Sequence, residues 1–346
     1  MHTRFDAAKH RTHKKINVIF AAVMTIGLLS TFACSLIGMS VAFAQEAHYP
    51  QRAIRMVVGF PPGQATDIVA RTVAEKLSLR WGQSVVIDNK PGAAGIIGTE
   101  QMLKAPADGY TVLMSSSGPL AINPGLYSKL PYDPIRDIQP IAMGAVVPLF
   151  LVVHPSLPVQ SVQELISLAR ARPGKINYAS GGSGLTNHLA MEMFKSAANI
   201  DLMHIPYKGG PPAVTDLIAG QVQVMFETGP GILPHVKAGK VRALGVGSIR
   251  RSASMPELPT VAESGISGFD GVAWIGLVAA RGVPKAIIEK LNHEVNAIVA
   301  LPDVRERFMA LGAEAAPRSA DEFDAYMRQE ITKWGKAIRD SGAKVD

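Results

Sequence analysis

Apolar residues along this chain fall into short runs separated by breaks rich in glycine and proline. Ile54-Arg55-Met56-Val57-Val58-Gly59-Phe60 predicts a buried strand, closed by Pro61-Pro62-Gly63. From Thr66 the period changes: Ile68, Val69, Val73 and Leu77 predict a helix that ends at Gly82. A second strand is expected over 84–88, a small-residue loop over 92–98, a helix over 99–105 and a strand over 110–114. This alternation of strand and helix predicts an α/β fold with parallel strands.

The same grammar returns further on. Strands are expected over 176–179, 202–206, 222–226 and 241–246, and helices over 187–196 and 213–219; the chain beyond Pro284 reads as mostly helical. Two longer apolar runs, 145–153 and 272–280, divide the chain into three parts. A two-lobed protein whose chain crosses twice between lobes needs such strands. That reading places 49–145 and 275–346 in one lobe and 146–274 in the other. The cleft between lobes is the expected place for a ligand.

Composition changes the picture once the N-terminus is set apart. The chain has 346 residues, 35 Lys+Arg against 28 Asp+Glu, and a formal net charge of +7. Such a balance suggests an acidic partner. Residues 1–44, however, carry five basic residues and one acid, and no charge lies between Ile16 and Ala44. A basic head, an apolar body and the exit Ala42-Phe43-Ala44 describe a secretory signal peptide cut after Ala44. An uncleaved membrane anchor is the alternative, because the apolar body is long. Lipidation at Cys34 is the weaker one, since Thr31-Phe32-Ala33 is a poor approach to it. The remainder is only about +3, so nucleic acid is not an expected partner. It has no cysteine, so it is held by its core rather than by disulfides.

Several catalytic signatures are missing from the sequence. Leu185 stands where a G-x-S-x-G elbow around Ser183 would need its second glycine, and neither a P-loop nor H-E-x-x-H occurs. His188 and Glu192 sit four apart, a spacing that suits a metal, but a histidine at a helix start beside an ordinary glutamate is the commoner meaning.

Three strand–loop–helix corners share a design: Pro62-Gly63-Gln64-Ala65-Thr66, Gly181-Gly182-Ser183-Gly184-Leu185-Thr186 and Lys208-Gly209-Gly210. A helix N-terminus offers unpaired N–H groups and partial positive charge, and glycine lets a ligand approach the backbone. Such corners bind anions without arginine, and two on opposite lobes suit the two ends of a dicarboxylate. Glycine also makes tight loops in any α/β sheet, which is the blander reading of each corner alone. Asp67 either complements the helix dipole or touches ligand. Ser115-Ser116-Ser117 either donates hydroxyls at the carboxyl edge of the sheet or forms a turn. Tyr207 and Trp274 either line the cleft or belong to the core, and Lys208 either steers an anion or is solvated.

The blocks Phe60-Pro61-Pro62-Gly63…Asp67, Asn89-Lys90-Pro91-Gly92-Ala93…Gly95, Asp108-Gly109-Tyr110-Thr111, Pro173-Gly174-Lys175…Ser180, His204-Ile205-Pro206-Tyr207-Lys208-Gly209 and Leu258-Pro259-Thr260-Val261-Ala262-Glu263 resemble the substrate-binding proteins of tripartite tricarboxylate transporters, the Bug or TctC family. The resemblance runs in order along the chain after the signal. It implies a two-lobed α/β periplasmic-binding-protein fold of type II-like character, each lobe a mixed sheet flanked by helices. It also implies a periplasmic, non-enzymatic protein, with neither cofactor nor metal, monomeric, that closes on a small carboxylate and presents it to membrane permease subunits. Carried over by position, ligand contacts fall on Phe60, Gly63, Gln64, Ala65, Thr66 and Asp67 in one lobe. In the other they fall on Ser180, Gly182, Ser183, Gly184 and His188. Ser115 and Tyr207 join them from the reading above. Gln64 replaces the family's second loop glycine, and Glu227 stands where Asp is usual and would suit a ligand amine. A ligand-presenting sensor subunit and a periplasmic enzyme on an anionic substrate are the alternatives.

Overall fold

The computed structural model describes residues 49–310 and 312–343. The expected signal peptide, its cleavage after Ala44 and Cys34 lie outside the described residues. Everything below concerns the compact unit Arg52–Asp346.

The first sheet is built from β1 (Ile54–Val58), β2 (Val85–Asn89) and β3 (Thr111–Ser116), all parallel. Helix α1 (Ala65–Trp81) connects β1 to β2, and α2 (Ile96–Leu103) leads toward β3. α1 stops where expected, at Gly82, whose left-handed conformation (φ 64°) returns its N–H to the Ser78 carbonyl. The small-residue loop expected over 92–98 is shorter than that, because Ile96, Ile97 and Gly98 are already helical.

The long strand β4 (Ile138–Val153) belongs to two sheets. The apolar run predicted only its second half. Gln139, Pro140 and Gly144 interrupt the hydrophobic pattern, and the pairing shifts register beside Pro140, which has no N–H to give. Its first part pairs with β9 (Val272–Ala280), which also pairs with β3; its last part pairs with β7 (Val224–Thr228) and β8 (Arg242–Val246). Beyond β7 lie β5 (Asn177–Ser180) and β6 (Met203–Pro206), both parallel. The order β2-β1-β3-β9-β4-β7-β5-β6 results. β4 is buried on both faces, which explains its nearly continuous apolar sequence. Leu149, Leu151 and Val153 enter one core cluster, while the alternate residues Phe150 and Val152 enter another.

Helices α3 (Val162–Ala171), α4 (Thr186–Ala198), α5 (Gly210–Ile218) and α6 (Gly229–Lys237) flank the second sheet's strands. The breaker Gly210-Pro211-Pro212 proves to be the first turn of α5. Proline is tolerated there because the first N–H groups of a helix have no intrahelical partner. After β9 come α7 (Lys285–Val299), α8 (Pro302–Ala310) and α9 (Ala320–Ser341). A capping box between Ser319 and Glu322 starts α9, which packs on β4 and α4. On its buried face, Glu330 Oε2 accepts hydrogen bonds from the indoles of Trp274 (3.0 Å) and Trp334 (2.9 Å), and Lys333 pairs with Oε1 at 2.6 Å. Trp274, expected either in the cleft or in the core, is core. Among the described residues, no helix is long and apolar enough to cross a membrane.

Candidate ligand-binding site

Helix N-termini make this site. A cavity of about 580 Å³ is lined by the starts of four helices: Gln64, Ala65 and Thr66 of α1; Leu185, Thr186 and Asn187 of α4; Gly209, Gly210 and Pro211 of α5; Thr228, Pro230 and Gly231 of α6. In none of these four helices does the N-cap side chain accept a bond from the first N–H groups, although in α4 the His188 N–H is taken by Asn187 Oδ1 at 2.9 Å. Ser161 and Ser319, by contrast, do cap α3 and α9. The sequence predicted three of these corners; the fourth, Thr228-Gly229-Pro230-Gly231, carries the same glycine–proline signal and could have been found by it.

Among the described residues, no lysine or arginine lines the cavity, and Glu227 and His235 are its titratable residues. An anion here would therefore be met by oriented N–H groups and helix dipoles rather than by a counter-charge. Val147 and Leu149 of β4, Ala273 and Ile275 of β9, and Val214 and Ile218 of α5 provide an apolar wall between the corners. Ser116 and Ser117, at the end of β3, add hydroxyls.

Of the residues expected to touch ligand, Phe60, Gly63, Gln64, Ala65, Thr66, Gly184 and Glu227 line this cavity. The others do not line it. Asp67 is buried, and its Oδ2 accepts the Gly63 N–H (2.8 Å) and Arg71 Nε (2.9 Å). Its Oδ1 accepts Asn89 Nδ2 at 2.9 Å, and Asn89 also reaches the Phe60 carbonyl at 3.0 Å. Burial pushes the Asp67 pKa up, but the bonds from Arg71, Gly63 and Asn89 outweigh it and hold the carboxyl below its ordinary value. Asp67 therefore ties down the first loop, at a point where Gly63 adopts φ 84°.

The second loop has its own support. Gly184 donates its N–H to His188 Nδ1 at 3.0 Å, so that amide is already committed. His188 stacks on His204 (4.2 Å between centroids), and His204 stacks on Tyr178 (4.7 Å). Ser180 Oγ bonds His204 Nε2 at 2.7 Å and also contacts the Gly182 amide and carbonyl. The Tyr178 hydroxyl donates to Glu192, which pairs with Lys195 at 2.8 Å. Burial lowers the pKa of His188; burial and the neighbouring His188 lower that of His204 to about 4. Ser180, Gly182, Ser183 and His188 do not line the cavity; Gly181 does. The His188–Glu192 spacing serves this scaffold, and among the described residues no cluster of His, Cys, Asp and Glu suits a metal.

Ser115 is buried within β3, opposite Gly276 of β9, one residue short of the serines that reach the cavity. The Tyr207 hydroxyl donates to Asp216 at 2.7 Å, and neither Tyr207 nor Lys208 lines the cavity. Thr186 and Gly210, which belong to the predicted corners, line it as well, and so do Asn187 and His235, which were not expected to.

An α/β fold with two sheets joined by one shared strand, and with helix starts lacking N-cap side-chain bonds facing one cavity, defines a solute-binding protein. Residues 69–343 match the tripartite tricarboxylate transporter family receptor, TctC, and the chain belongs to that family. It is 40% identical to Protein BugT of Bordetella pertussis over 298 residues, 86% of this chain and 91% of that one. Among solved structures it is similar to R. palustris Rpa4515 with adipate, with a TM-score of 0.78 and 36% identity. That alignment covers 86% of this chain and all of the other. It is likewise similar to MatC from Rhodopseudomonas palustris with bound malate, with a TM-score of 0.74 and 30% identity, covering 84% of this chain and all of the other. The fold is accordingly the two-lobed periplasmic-binding-protein fold, with the ligand cleft between lobes.

Proposed function

We propose that this chain is exported to the periplasm, captures a small organic carboxylate between its lobes and presents it to the membrane subunits of a tripartite tricarboxylate-type transporter. The lobes in this reading are 49–145 with 275–346, and 146–274. The observation that carries it is the convergence of four helix N-termini, none with an N-cap side-chain bond, on one cavity that among the described residues has no lysine or arginine. Backbone amides recognise carboxylate geometry without fixing what lies between two carboxylates. The adipate and malate of the similar structures support the same class of ligand.

Calorimetric titration of the purified protein with adipate and malate tests this reading. Binding of either acid, with the acid recovered unchanged from denatured protein, is the expected result. Chemical conversion of the acid would replace binding with catalysis as the function, and failure of every carboxylate tried would overturn the reading.

A further inference from the structure

The cavity contains one acidic side chain that carboxylate binding by helix termini does not explain. Glu227, near the end of β7, is only 7% exposed and lines the cavity. Its Oε1 accepts the Thr228 N–H at 2.7 Å and the Thr228 hydroxyl at 2.8 Å. Its Oε2 is buried and has no hydrogen-bond partner. That oxygen sits against the first residue of α5: a Cβ placed on Gly210 would meet it at 3.1 Å. Gly231, in the first turn of α6, is as close to its Cγ, since a Cβ there would lie 3.2 Å away.

A charged carboxylate in this position would be buried with only the ends of α5 and α6 to meet it, without a cation, and would repel an anionic ligand. A proton removes both difficulties. Because Oε1 already accepts two hydrogen bonds, the proton belongs on Oε2, where it makes a donor. Burial pushes the Glu227 pKa up, against the pull of the Thr228 hydrogen bonds. A ligand ammonium is disfavoured at the same spot by the positive end of α5.

We propose that Glu227 determines specificity in this cavity by donating a hydrogen bond through Oε2–H to a ligand oxygen at the α5 end. The site then selects an acid with a second carboxylate or carbonyl there over one ending in an ammonium. The inference rests on the carboxylate reading of the cavity and names what that reading leaves open.

Adipate and 6-aminohexanoate have the same chain length and differ at one end, so they serve as probes by calorimetry. The wild-type protein is expected to prefer adipate by about tenfold or more, the scale of one charge-assisted hydrogen bond. In Glu227→Gln the amide oxygen keeps the Thr228 bonds and the amide N–H replaces Oε2–H. This variant should retain the preference and lie within about fivefold of wild-type affinity, while Glu227→Leu loses about tenfold for adipate. Equal or tighter binding of 6-aminohexanoate overturns the proposal, as does a loss in Glu227→Gln matching that in Glu227→Leu. Undiminished adipate binding by folded Glu227→Leu overturns it too, yet leaves the carboxylate reading standing. Should Glu227→Leu fail to fold, the two probes on the wild-type protein and Glu227→Gln still decide. If wild-type protein binds neither probe nor any other carboxylate, the functional reading fails and this inference falls with it.

Discussion

The hydroxyls of Ser117 and Thr186 meet at 3.3 Å, although the residues are 69 positions apart. Ser117 follows β3 in the first sheet, Thr186 opens α4 beside the second, and both line the cavity. One hydrogen bond therefore links the two banks of the site.

Removing that link by Ser117→Ala or Thr186→Val is expected to weaken carboxylate binding by about threefold to tenfold, from a net hydrogen-bond value of about 1 kcal/mol. The melting temperature of the empty protein should hardly move, because the pair is at the cavity rather than in a core. Calorimetry with adipate and a thermal melt of each variant check both halves.

Gln64 precedes α1 without capping it. Gln64→Ser supplies a side-chain oxygen for the first N–H groups of α1, which should stabilise the empty protein by about 1 kcal/mol. The same oxygen competes with a ligand carboxylate for those amides, so affinity should fall. A variant that melts higher and also binds more tightly would contradict the role assigned to the α1 terminus.

Glu330 joins the indoles of Trp274 and Trp334 within the core. Glu330→Ala leaves two buried N–H groups and the Lys333 ammonium without their shared partner, and should cost about 3–5 kcal/mol. Denaturant unfolding measures this directly. A loss below about 1 kcal/mol would mean that water replaces the carboxylate at little cost.

The stacked pair His188 and His204 makes stability depend on pH. Both have pKa values below the ordinary 6.5, His204 reaching about 4, so the unfolded chain takes up their protons first. Their contribution is complete above pH 6.5 and is lost as pH falls toward 4. His204→Phe keeps a ring in the stack and should narrow the melting-temperature gap between pH 7 and pH 5.

Glu227 has the opposite sign. Its raised pKa keeps a proton in the folded state that the unfolded chain releases, so its contribution weakens as pH rises above the usual carboxylate range. Glu227→Gln should gain stability over the wild type as pH rises above the usual carboxylate range. A constant difference as pH rises would show that Glu227 is ionised in the folded protein.

Much of the site was legible because its chemistry is local. Gly63 and Gly184 announce themselves, since their positive φ values and the helix starts beside them are properties of a few adjacent residues. The serine run after β3 was legible as a candidate, but which serine reaches the cavity was not. Strand side chains alternate, so Ser115 and Ser116 face opposite sides of the sheet, and Ser117 lies just past the end of β3. Ser180 and His188 were expected as ligand contacts from the family resemblance. Their hydrogen-bonding capacity is taken up by His204, which arrives on another strand, and by Gly184.

Most of the strand–helix alternation, the strand over 272–280, three of the glycine corners and the family resemblance were determined by the sequence alone, because each depends on neighbouring residues or their periodicity. Tertiary structure decided which polar groups remain available. Asp67 is consumed by Gly63, Arg71 and Asn89, and Ser180 by His204, whereas Glu227 retains one oxygen without a partner. The physical reason is that a buried polar group must find a partner, and here the decisive partners lie up to tens of residues away in the chain.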